Sequence, residues 1–190
     1  MRWESVQARD AEVVSRQLRR PPRHLLGVVR RCPAECPRVV VNHPLPREED
    51  DEAFFPTVFW LTCPWEVERV HHLESRGLIH RLQEAVQSRP HFSDLVQDAH
   101  QEYIFLRLSL LEPAARLSVR REHSVVARRL ASLGVGGTAD FRAVKCLHMH
   151  YAHFLITGNN PIGRLVAKLL GVTDGRQGCR TCHAAEHPAG

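Results

Sequence analysis

Between Pro56 and Pro64 the chain reads TVFWLTC, seven residues with no charged side chain. Proline has no backbone N–H and clashes with the preceding helical turn, so a run closed by proline at both ends is not a helix interior. Seven residues is strand length, and an apolar run that does not alternate suits a strand covered on both faces. Such a strand needs apolar faces above and below it, and the rest of the chain must supply them.

Two further segments read as strands, HLLGVVRRC (24–32) and PRVVVNH (37–43), both rich in Val and Leu and bounded by prolines. The acidic run in LPREEDDEAFFP (45–56) reads as a solvated loop. Helical periodicity accounts for most of the remainder. Residues 10–20 carry Val13, Val14 and Leu18 on one face, with Asp10 as cap and the prolines of PPR (21–23) as stop. Pro64 suits the first turn of a helix over 65–77, because its missing N–H has no helical partner there. Further helices are expected over 78–88, 94–111, 117–133 and about 140–157, and a last one opens with Asn160 as cap and Pro161 in its first turn. The expected fold class is α+β. A small, mostly antiparallel sheet of about three strands comes early and is covered by a helical majority. One domain spans 1–171, and 172–190 is expected to be a disordered tail.

No stretch of the 190 residues approaches the roughly 18 apolar positions that cross a bilayer. The first residues, MRWESVQARDAEVV, lack a signal-like apolar core, so the expected location is cytoplasmic. The six cysteines then read as thiols or metal ligands rather than a disulfide framework. The net charge is +5, and the positive side chains are nearly all Arg, with Lys only at Lys145 and Lys168. Arginine suits phosphate and carboxylate partners, but a GC-rich genome that encodes Arg in place of Lys is the favoured explanation of the bias. The basic stretches RQLRRPPR (16–23) and RLSVRREHSVVARR (116–129) lack interleaved aromatics, so a nucleic-acid partner is not expected.

The chemistry-bearing residues concentrate in VKCLHMHYAHFL (144–155). If a regular helix begins near Asp140, Cys146, His150 and His153 share one face and His148 lies on the far side, so either the helix begins after Cys146 or Cys146 and His148 serve different purposes. A metal site could then combine Cys32, Cys63 and Cys146 with one of His148, His150 or His153, a thiolate–imidazole set suited to zinc or iron. The plain alternative is buried thiols and imidazoles bonded to backbone carbonyls. His100, Tyr103 and Arg107 recur at i, i+3 and i+7, so they share a helix face that could bind an oxyanion or move a proton. In that scheme Arg107 clamps the anion and His148 or His150 acts as base or ligand. The alternative is a packed Tyr and an ion-paired Arg. GVGG (134–137), through Gly136 and Gly137, and GNNPIG (158–163), through Asn160, are candidate anion cradles ahead of helix starts. Ordinary turn and cap roles explain both as well. CRTCH (179–183) fits the c-type haem attachment pattern, but attachment needs export, which nothing in the sequence supports.

Several of these stretches occur in an order that resembles the bacterial family known as domain of unknown function five-hundred-and-one. They are RCP (31–33), FPTVFWLTCP (55–64), His100, Tyr103 and Arg107 as H-x-x-Y-x-x-x-R, GVGG ahead of VKCLHMHYAHFL, and GNNPIG. The resemblance covers roughly 15–170 and puts Cys32, Cys63, Cys146 and His148 on family motif positions. After RCP the family carries an aromatic and a glycine, where this chain has Ala34 and Glu35; Cys36, Cys179 and Cys182 fall off the pattern. The resemblance implies no established activity. It implies gene neighbours encoding enolase, a septum-formation initiator and an exopolyphosphatase-like protein. The functional expectation is a Cys/His/Arg-lined pocket that binds a small anionic, phosphate-bearing ligand, with a divalent metal as the candidate cofactor. The alternative is a partner or scaffold protein linked to cell division or RNA, using the arginine-rich face near 116–129. Enzyme and non-enzyme readings both stay open.

Overall fold

A computed structural model describes residues 1–45, 56–121 and 125–171. The acidic run of 46–55 and the 172–190 segment with its CRTCH motif lie outside the described residues, as does part of the arginine-rich stretch. The architecture is α+β, a four-stranded antiparallel sheet with a helical majority.

The three expected strands form, joined by a short fourth. β1 (Glu4–Ser5), β2 (Leu25–Arg31), β3 (Pro37–Asn42) and β4 (Phe59–Leu61) lie in the sheet in chain order, each antiparallel to the next. Val39 pairs with Leu61 and Val41 with Phe59. The apolar run between its prolines is buried at Val58, Phe59, Leu61, Thr62 and Cys63, while Trp60 turns partly outward. Two residues are too few for sequence pattern to reveal β1, which is held from outside: Arg31 donates to Glu4 Oε2 at 2.7 Å. The same guanidinium takes both oxygens of Asp10 at 2.8 and 3.0 Å. Asp10 sits three residues past the N-cap Gln7 of α1 (Ala8–Leu18), and its carboxylate accepts the Gln7 N–H. It thus belongs to a capping box rather than being the cap itself.

Pro64 opens α2 (Pro64–Ser75) as expected, and α3 (Leu78–Ser88) follows Gly77. The long helix α4 (Pro90–Ser109) starts earlier than periodicity suggested, with Pro90 in its first turn. The single helix expected over 117–133 is two, α5 (Pro113–Arg121) and α6 (Val125–Ser132). A larger correction concerns the helix expected from Asp140. Its Oδ1 accepts the Arg142 N–H at 2.8 Å, a local turn that competes with helix. Gln83 of α3 then holds the next residues out, donating to Arg142 O at 2.7 Å and accepting from Val144 N–H at 2.8 Å. Helix α7 therefore runs only Leu147–Thr157, with Cys146 as an extended N-cap at φ −153° and ψ 120°. Asn160 caps α8 (Pro161–Leu170) as expected, its side chain accepting from Gly163 N–H.

The main core joins the inner faces of β3 and β4 to α2, α3, α4, α7 and α8. Gly163 lets α7 and α8 meet backbone to backbone, since a Cβ there would lie 2.3 Å from His150 O and 2.4 Å from Phe154 Cβ. One charged network crosses this core. Arg38 of β3 forks onto Glu66 of α2 at 2.6 and 2.8 Å, and Tyr151 of α7 donates to Glu66 Oε1 at 2.8 Å. Burial and the Glu66 charge push the Tyr151 phenol well above its ordinary range, against the lowering pull of Arg38.

Candidate functional site

The extended Cys146 changes what VKCLHMHYAHFL can do. Two residues apart on a helix, Cys146 and His148 would point away from each other. Across a helix start they turn to the same side, with Cys146 Sγ 3.8 Å from His148 Nδ1. Glu74, from the last turn of α2, reaches the same point. Its Oε1 accepts the Leu147 N–H at 2.7 Å and lies 3.3 Å from His148 Nδ1. Ligand atoms of Glu74, Cys146 and His148 all lie within 4.8 Å of one another, and all three residues are half-buried.

The protonation of His148 follows from its other nitrogen. Nε2 lies 3.0 Å from Val67 O, and a carbonyl only accepts, so Nε2 carries a proton and Nδ1, facing Cys146 and Glu74, is the nitrogen that the neutral ring offers as a ligand. A carbonyl on the distal nitrogen is the usual orienting partner of a metal-bound imidazole. Burial pulls the His148 pKa down, but the Cys146 thiol, the Val67 carbonyl and Glu74 together outweigh it, so the net shift is upward. Zinc bonds of ~2.3 Å to sulfur and ~2.0–2.1 Å to nitrogen or oxygen place neighbouring tetrahedral ligands about 3.3–3.6 Å apart. The 3.3 Å separation of His148 and Glu74 falls on that edge length, and the 3.8 Å separation of Cys146 and His148 is slightly longer.

The wider ligand set expected from sequence does not assemble. Cys32 and Cys63 pack with Cys36 and Val13 in a separate apolar cluster, against Trp65. His150 and His153 leave Cys146 altogether, on the buried side of α7. Among the described residues, the triad with Glu74 is the one group of three donors at metal-ligand spacing.

His150 and His153 instead join His100 in the core, all three without solvent exposure. His100 Nδ1 accepts the Val135 N–H at 2.9 Å, so it carries no proton. Asn160 Oδ1 is held by the Gly163 N–H at 2.9 Å, which turns its amide nitrogen toward His150 Nδ1 at 3.1 Å and His153 Nδ1 at 3.2 Å. His100 and His153 therefore keep the proton on Nε2; His150 Nδ1 also lies 3.3 Å from Asn160 Oδ1 and can act as donor or acceptor, and in all three rings Nε2 has no hydrogen-bond partner. His153 Nε2 lies 3.5 Å from Glu102 Oε2. Among the described residues, neither His150 nor His153 belongs to a group of three donors at metal-ligand spacing. Burial pushes His100 down to about 4, and burial with the His100 charge pushes His153 down to about 3. Gly134 makes the His100 position available, because a Cβ there would fall 2.3 Å from Nδ1.

Tyr103 and Arg107 share the His100 face as spacing implies, but both are committed to backbone. Tyr103 accepts the Val58 N–H at 2.9 Å. Arg107 donates to Leu130 O twice and to Pro56 O at 3.0 Å, fastening α6 and the entry to β4 onto α4. With no solvent exposure and its fork engaged on carbonyls, Arg107 has no free edge for a bound anion. Burial lowers its pKa to about 10. The GVGG cradle also loses its basis. Gly136 and Gly137 take left-handed φ values of 72° and 71° in a 3-10 turn over Val135–Gly137, and the next helix starts ten residues later at Leu147. Asn160 spends its side chain on α8 and the two histidines.

Over residues 28–168 the chain matches the profile of a family described as protein of unknown function (DUF501). The chain belongs to the DUF501 family. No curated protein and no solved structure matches it. In this DUF501 protein, Glu74, Cys146 and His148 all lie inside the matched span, whereas CRTCH lies beyond it. No described helix is long and apolar enough to cross a membrane. Sequence reasoning singled out Cys146 and His148 but missed Glu74, which lies more than seventy positions away. The available signal was the C-x-H spacing, which converges only where a helix starts.

Proposed function

We propose that this DUF501 protein binds a divalent metal ion through Glu74, Cys146 and His148 and offers the ion's remaining position to a small oxyanion. One observation carries the reading: three donor atoms of different chemistry lie within 4.8 Å of one another, with His148 Nδ1 3.3 Å from Glu74 and 3.8 Å from Cys146. A thiolate, an imidazole and a carboxylate together favour zinc over magnesium or calcium, which prefer all-oxygen shells. Three protein ligands leave a fourth position for water or substrate oxygen, as catalytic zinc sites do. The anion is attracted here by the ion itself, replacing the Arg107 clamp expected from sequence. Whether the bound oxyanion is then hydrolysed depends on groups the triad does not include.

A thiol–imidazole nucleophile pair is the competing use of Cys146 and His148, and the position of Glu74 argues against it. The carboxylate shares the Nδ1 side with the thiol, so a free thiolate would face a second negative charge. That arrangement disfavours an activated thiolate and favours a bound cation.

The test is metal content of untagged protein purified anaerobically, followed by zinc titration of the chelated form. Near-stoichiometric zinc is expected, with a loss of roughly 10–100-fold or more in affinity for Glu74→Gln, Cys146→Ser and His148→Gln, the scale on which disturbed metal sites respond. A metal-free protein that ignores zinc, and whose Cys146 reacts rapidly with iodoacetamide at neutral pH, would establish the nucleophile instead.

A further inference from the structure

A separate face of the molecule carries a groove of about 540 Å³ formed by α3, α4 and α8. Its walls are mainly apolar, built from Leu82, Phe92, Leu95 and Leu165, and Arg89 and Arg164 line it as well. Leu95 and Leu165 remain 41% and 37% exposed, and Leu169, one turn beyond Leu165, is 56% exposed. The apolar surface therefore continues from the groove along α8, unlike isolated surface leucines, which need no explanation. The volume lies within the usual range of ligand pockets, ~300–1,000 Å³.

The charged side chains that line the groove have one sign, with Glu102 held behind it by the Asn159 amide at 2.9 Å. No acidic side chain lines it among the described residues. α4 and α8 both begin at its border, so the positive ends of two helices add to the two guanidinium groups. Arg164 uses one nitrogen on Gly158 O at 2.7 Å and lies 5.9 Å from the Phe154 ring centroid, which leaves donors of its fork for a ligand. A mainly apolar trough with a cationic lining is complementary to a molecule with a hydrocarbon body and an anionic head.

We propose that this groove binds a free, single-chain amphiphilic anion, its carboxylate or phosphate held at Arg89 and Arg164 and its hydrocarbon chain laid along Phe92, Leu95 and Leu165. The site is independent of Glu74, Cys146 and His148, so either proposal can fail without the other.

The experiment titrates the full chain with dodecanoate below its micelle concentration and, in parallel, with dodecyltrimethylammonium, which has the same tail and the opposite head charge. A single saturable site for dodecanoate is expected, with the cationic amphiphile weaker by about tenfold or more. Leu165→Asp and Arg89→Glu, both at exposed positions, should each weaken dodecanoate by about tenfold while leaving the circular dichroism and melting temperature of the free protein unchanged. Equal binding of both head groups, or affinity indifferent to both variants, overturns the proposal. So does an absence of dodecanoate binding. Binding confined to phosphatidylglycerol vesicles and lost in Arg89→Glu would assign the face to a membrane surface and overturn the free-ligand reading.

Discussion

The three buried histidines show how a single amide can set the chemistry of its neighbours. Because Asn160 is locked by the Gly163 N–H, its amide nitrogen is turned onto His150 and His153, and the Val135 N–H holds His100 Nδ1 as an acceptor. The arrangement leaves Nε2 donors in the core without a close partner, each costing about 1–3 kcal/mol relative to a satisfied group. It also makes a pH prediction. His100 and His153 titrate near 4 and 3 in the folded chain, below the ordinary value of 6.5. The unfolded chain therefore takes up protons first as pH falls. Their contribution to stability is complete above about pH 6.5 and is lost toward pH 4, at up to ~1.4 kcal/mol per unit for each ring. His100→Asn keeps an acceptor near the Val135 N–H and removes one titrating group. Chemical denaturation across this range should show a shallower acid limb in that variant. An unchanged slope would mean that His100 is not held neutral.

Among the elements, α7 carries the most consequences, since one face meets the sheet, another meets α8, and its start builds the triad. The contact with α8 depends on Gly163. Ala at that position would press against a carbonyl and a Cβ, neither of which can swing aside, so α8 must move away. Gly163→Ala is expected to cost about 1–3 kcal/mol, read as a lower urea midpoint with unchanged m-value. The contact with the sheet depends on Glu66 and Arg38, which Tyr151 joins. Glu66→Gln leaves the Arg38 guanidinium buried beside a neutral amide and should cost about 3–5 kcal/mol. Adding Arg38→Met should recover part of that loss, and a double-mutant cycle measures the coupling. Strictly additive losses would show that the two side chains do not act as a pair.

For the whole molecule, the triad is a tie as well as a site. It joins the end of α2 to the start of α7, so an ion bound there stabilises the native chain and not the unfolded one. Zinc at 100 times its dissociation constant should add about 2.7 kcal/mol. For a chain of this size that is roughly 5–10 °C in melting temperature. The shift should vanish in Cys146→Ser and persist in Cys32→Ser, whose thiol lies in the other cluster. A shift that survives Cys146→Ser would move the ion elsewhere.

Much of the fold is written in local pattern. The proline-bounded runs specify three strands, and Pro64, Asn160 and Pro161 mark helix starts, because these signals act within one turn of themselves. β1 is too short to pattern, and its place depends on Arg31 from another strand. The split between α5 and α6 is likewise invisible to apolar periodicity. The site was legible only in part. Cys146 and His148 stand out by residue type, and His100, Tyr103 and Arg107 do share a face. Whether a cysteine and a histidine two residues apart converge depends on where the helix begins, and Gln83 and Glu74 decide that from other helices. By itself the sequence determined which residues could do chemistry and the class of fold around them. The tertiary structure alone decided which of them meet, because hydrogen bonds between distant elements set the backbone angle at Cys146 and the tautomers of His100 and His153.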